Sequence, residues 1–128
     1  MVDSLTLFLA QVMGVYLLIT GVSGLLYPDR MQKAMREFNK STLFPYFDGA
    51  IALIVGLLVL LSHNVWNDLT TSLVTLVGWL AVLEGLAMFL LSEDVLKQMT
   101  NKLVDMGRIL GLVAVVAGGY LVYAGFFA

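Results

Sequence analysis

Four stretches of the chain are apolar with almost no interruption: Ser4 to Pro28, Gly49 to Asn67, Leu69 to Leu91 and Ile109 to Ala128. The first and last hold no charged residue, the second holds none unless His63 is protonated, and the third is broken only by Glu84. A helix needs about 20 mostly apolar residues to cross the hydrocarbon core of a bilayer. The pattern therefore predicts four transmembrane helices. A different period fills two of the gaps. Met31, Ala34, Met35 and Phe38 recur at i, i+3, i+4, i+7 with Lys33, Arg36 and Lys40 on the other faces, and Leu96, Met99, Leu103 and Met106 lie along a second such segment. These segments predict short amphipathic helices in the interface, apolar side in the acyl chains and basic side towards anionic lipid. A Met-rich face also suits a partner helix. The first apolar run follows Asp3 instead of a basic cluster, and Pro28-Asp29-Arg30 stands where a signal peptide would carry small residues, so it reads as a retained helix.

The chain repeats itself. Gly14 to Gly21 (GVYLLITG), followed by Leu25 to Asp29, aligns with Gly78 to Gly85 (GWLAVLEG), followed by Phe89 to Glu93, at an offset of 64 residues. Gly49 and Gly56 align with Gly111 and Gly118 at an offset of 62. Each unit, 4–67 and 68–128, is a span, an amphipathic stretch and a returning span. Two tandem hairpins of that kind have parallel orientation and imply a pseudo-two-fold axis along the membrane normal. Nine of the twelve glycines recur every seven residues within their helices, which gives each helix a smooth stripe and predicts left-handed crossings. The expected fold is an all-α membrane protein, a left-handed bundle of four helices with interfacial helices after the first and third.

Composition narrows the function classes. The chain is 60% hydrophobic and 12% charged, against about 25% charged in a soluble domain. All seven basic residues lie in two connections: Arg30, Lys33, Arg36 and Lys40 after the first span, Lys97, Lys102 and Arg108 after the third. Basic residues near span ends stay on the cytoplasmic side, so the expected topology places both termini and the His63 to Asp68 turn outside, in a prokaryotic plasma membrane. The absence of Cys removes disulfides and thiolate chemistry, and a single His rules out two imidazoles in one site. A net charge of -2 offers no footprint for nucleic acid. No catalytic, metal-ligating or phosphate-binding constellation appears, so neither an enzyme nor a cofactor is expected.

Glu84 is the main candidate for chemistry. Seven residues before the end of its span, at ~1.5 Å per residue, it lies about 10 Å inside the membrane. Acids at that depth are usually paired, protonated or functional. Its expected partners are Arg108, entering the fourth span from the same face, or the hydroxyls of Thr20 and Ser23; Thr20 is its counterpart in the repeat. Asp48 reads as the cap of the second span, where backbone N–H groups favour an acid. His63 is a candidate pH-sensitive residue of the outer face, with Trp66 beside it as an interfacial anchor. Tyr120 needs an acceptor, and Glu84 fits it poorly by depth.

His63-Asn-Val-Trp66, followed by Thr75 to Gly85 (TLVGWLAVLEG), resembles segments of a group of small prokaryotic four-span membrane proteins. The resemblance covers most of the chain and implies no activity; Lys commonly occupies the position of Glu84 in that group. Two functions remain open. One is a structural or interaction protein that oligomerises or attends a membrane complex through its glycine faces and basic segments. The other is a minimal proton- or cation-coupled transporter using Glu84.

Overall fold

A computed structural model describes residues 4–127, so Asp3 ahead of the first span and Ala128 at the end of the fourth lie outside the described residues. The described residues form six helices: α1 (Ser4–Leu26), α2 (Pro28–Lys40), α3 (Leu43–Ser62), α4 (Leu69–Leu90), α5 (Glu93–Asp105) and α6 (Gly107–Phe126). Four of them, α1, α3, α4 and α6, are long and apolar enough to cross a membrane, which marks an integral membrane protein. Large apolar side chains cover their outward surfaces, among them Phe8, Ile19, Leu58, Leu80 and Val116. Lipid solvates such a surface and water does not.

Local chemistry sets the breaks. Pro28 has no N–H to continue α1 and instead opens α2 as its first residue, where that donor is not required. Ser41 accepts a hydrogen bond from Phe44 N at 3.1 Å and so caps the turn into α3. At the start of α4, the Asp68 side chain accepts from Thr71 N at 2.8 Å while Thr71 Oγ1 accepts from Asp68 N at 3.0 Å, a reciprocal box that closes two orphan donors. Those donors hold the Asp68 carboxyl below its ordinary range. Ser92 accepts from Val95 N at α5, whose first turn carries Glu93 and Asp94 and whose last carries Lys102, each sign matching the helix dipole.

The helix pairs are α1 with α6 and α3 with α4, with α1 and α4 touching between them and α2 meeting α5 at one end. Both pairs run antiparallel, since Gly14 abuts Leu121 and Gly21 abuts Gly111, while Gly56 abuts Val82 and Gly49 abuts Gly85. Glycine permits the approach. A Cβ on Gly118 would stand 2.5 Å from Leu18 N, and one on Gly56 2.7 Å from Val82 N, distances no side chain sustains. The nine glycines of the seven-residue stripes all lie against a neighbouring helix of the same chain, whereas Gly107 and Gly119 face open space.

The buried apolar cluster is Ala10, Met13, Val59, Val74 and Leu121. Its members come from the starts of α1 and α4 and the ends of α3 and α6, so the core occupies the half of the bundle away from α2 and α5. All seven basic residues lie at the other end, on α2, α5 and the first turn of α6. There Asn39 of α2 donates to Asn101 of α5 at 3.2 Å.

Candidate functional site

Three polar groupings interrupt the apolar bundle. The first is acidic. The Glu84 carboxyl of α4 stands beside that of Asp48 on α3, close enough for one to donate to the other when protonated. Asp48 does not cap α3. The helix begins five residues earlier because Leu43, Phe44, Tyr46 and Phe47 are apolar enough to join it and Pro45 is tolerated in its first turn. That extra turn rotates Asp48 onto the α4 side. Gly49 and Gly85 draw the two backbones together at this level, and Tyr46 packs on Phe89 with ring centroids 5.6 Å apart. Glu84 nonetheless remains on the outward surface of the chain, and Asp48 is half-buried. Two adjacent carboxyls can share a proton or hold a cation between them.

Neither Arg108 nor the hydroxyls of α1 reach Glu84. Thr20 turns its hydroxyl back onto its own helix, donating to the carbonyls of Tyr16 at 2.8 Å and Leu17 at 3.2 Å. Ser23 is half-buried on α1, and its carbonyl accepts from Tyr27 N. Arg108 and Thr20 instead line one cleft between α1–α2 and α5–α6, on the far side of the bundle from the acids. Among the described residues Lys97–Glu93 is the one ion pair, so the Arg108 guanidinium has no acid partner among them.

The second grouping surrounds His63, which is 2% exposed. Its Nε2 lies 2.7 Å from Thr6 Oγ1 and its Nδ1 lies 3.1 Å from Thr75 Oγ1. Thr75 spends its hydroxyl proton on the Val65 carbonyl at 2.8 Å and accepts from Val65 N at 3.2 Å. The Nδ1 must therefore be the donor to Thr75, and in the neutral ring Thr6 donates to Nε2. The imidazole thus ties α1, the end of α3 and α4 into one corner. The third grouping is a bond of 2.8 Å between Thr70 Oγ1 and the Tyr120 hydroxyl, joining α4 to α6 near the same end. Tyr120 finds its partner there and not at Glu84.

Thr6, Thr70 and Thr75 carry no motif, being single threonines inside apolar runs. One signal was available: Thr6 and Thr70 are 64 residues apart, the offset of the first helices. No three His, Asp or Glu side chains gather into a metal site among the described residues. No family model matches the chain, and neither a curated protein nor a solved structure matches it.

Proposed function

We propose that this chain is a non-enzymatic membrane protein that works by association, pairing with a second copy of itself across the surface that carries Glu84 and Asp48. The adjacent carboxyls on an outward, membrane-embedded surface carry this reading. An ionised acid at hydrocarbon depth costs a few kcal/mol when it faces lipid, and a partner helix that supplies donors removes that cost. The glycine stripes are already spent within the chain, whereas the α3–α4 surface still presents its two acids outward. The basic end faces the cytoplasm in this reading, on the strength of seven Lys and Arg residues gathered there.

We also read the chain as two parallel hairpins about a pseudo-two-fold axis. Support comes from contacts that recur at the offsets of the sequence repeat. Gly14 against Leu121 and Val122 corresponds to Gly78 against Val59 and Leu60, and Gly118 against Leu18 corresponds to Gly56 against Val82. The Asn39–Asn101 bond joins two residues 62 apart, as expected where an axis passes.

The test uses the absence of native Cys. Leu80 is 56% exposed and sits one turn from Glu84. Leu80→Cys is expected to give a disulfide-linked dimer in native membranes, lost when Glu84→Leu is added. A chain that stays uncrosslinked under oxidant sinks the reading. The acid pair also favours a second reading, proton- or cation-coupled transport. Flux in proteoliposomes that Glu84→Gln abolishes would establish it, whereas flux no greater than through empty liposomes would dismiss it for the ions tried.

A further inference from the structure

The cleft between α1–α2 and α5–α6 lies at the basic end, with a volume of about 430 Å3. That is within the ordinary range of small-ligand sites, roughly 300–1,000 Å3. Its walls are apolar, formed by Gly24, Leu25 and Gly111 from the spans and by Met31 and Met35 from α2, and Arg108 stands at its rim. Asp105 and Gln32 share that rim. In the α3–α4 pair the corresponding position is filled. There Met88 and Phe89 lie over Gly49, a Cβ on which would come 2.7 Å from Met88 Cβ, and Tyr46 closes on Phe89. Beside α1 the filling is partial: Leu25 lies over Gly111, 3.0 Å from a Cβ placed there, but a Cβ on Gly24, which stands where the other pair has Met88, would touch only Met31 Cε, at 3.6 Å. The open space beside Gly24 therefore follows from the smaller Gly24 and Leu25 standing where the other pair has Met88 and Phe89.

We infer that this cleft binds one anionic phospholipid from the leaflet at the basic end, with an acyl chain in the furrow between Gly24 and Gly111 and the phosphate on Arg108. Charge and shape both select that occupant. A guanidinium with no acid partner among the described residues, placed where a transmembrane helix enters the bilayer, offers a planar fork that matches phosphate. The two methionines that line the furrow have unbranched side chains that adapt to a flexible chain. On the adjoining α2 the basic residues Arg30, Lys33, Arg36 and Lys40 outnumber the acids Asp29 and Glu37, so the helix adds a net positive potential at the same level beside Asp105 and attracts anionic lipid to it.

The experiment is native mass spectrometry of the purified protein incubated with an equal mixture of phosphatidylglycerol and phosphatidylcholine of identical acyl chains. Both lipids offer a phosphate, but the choline ammonium of phosphatidylcholine is repelled by Arg108 and the basic residues of α2, so the wild type is expected to retain phosphatidylglycerol about tenfold more strongly. Arg108→Gln is expected to level the two lipids. Gly24→Met, which puts a Met where the other pair has Met88, is expected to lower retention of both. The open space beside Gly24 lets that variant fold, and far-UV circular dichroism checks it. Equal retention of both lipids by the wild type, or full phosphatidylglycerol retention by folded Gly24→Met, would overturn the inference.

Discussion

Gly118 and Gly119 are adjacent on α6, yet alanine at the two positions meets opposite surroundings. At Gly118 the new Cβ would stand 2.5 Å from Leu18 N and 2.9 Å from the Gly14 carbonyl oxygen, both backbone atoms that cannot swing aside. At Gly119 nothing lies within 4 Å. Nonbonded carbon contacts are most favourable at about 3.5–4.0 Å, so α1 and α6 must part by up to ~1 Å at Gly118, and a gap of that size forfeits a quarter to a half of each contact well nearby. Gly14, Gly21, Gly111 and Gly125 share that interface, so the loss spreads along it. Overpacking of this kind costs ~1–3 kcal/mol. Gly119→Ala, free of the clash, gains up to ~1 kcal/mol from helix propensity. Reversible unfolding in mixed micelles, followed by far-UV circular dichroism as the SDS fraction rises, reads the difference. Two variants within ~0.5 kcal/mol of each other, or Gly119→Ala as the weaker, would refute the packing described between α1 and α6.

Two further outcomes follow from the polar groups. His63→Phe removes the bonds to Thr6 and Thr75 and is expected to destabilise the protein by ~1–3 kcal/mol in the same assay; a Phe variant as stable as wild type would mean that the imidazole serves no structural purpose. The Asp68 carboxyl is held below its ordinary value of 3.8 by the Thr71 donors, so its contribution is present above that value and fades as pH falls through the folded pKa. Asp68→Asn is expected to flatten the acid limb of the stability profile, and an unchanged limb would remove Asp68 from the account.

The spans were legible because hydrophobic length is a one-dimensional property. The amphipathic α2 and α5 were legible for a similar reason, since period 3.6 survives without knowledge of neighbours. What could not be read was adjacency. Depth along the membrane normal suggests Thr20, Ser23 and Arg108 as partners of Glu84, but depth does not say which helix lies alongside. The neighbour turned out to be α3, joined to α4 by six residues, His63 to Asp68. Asp48 reads as a cap because an acid suits the N–H groups of a helix start, yet the apolar residues of Phe44-Pro45-Tyr46-Phe47 extend the helix and carry Asp48 inside. His63 shows the same limit from another side. Its partners come from α1 and α4, 57 and 12 residues away, and no spacing rule links three such segments.

The pairing of the first span with the last has a consequence for how the protein is made. A ribosome delivers α1 to the bilayer long before α6, its main partner, exists. The α3–α4 pair, by contrast, closes across a short turn as soon as both helices are inserted. Assembly therefore has an intermediate in which α1 stands with its glycine face open to lipid, and a chain stalled before Gly107 would hold the α3–α4 hairpin with α1 tied to it only at the His63 corner.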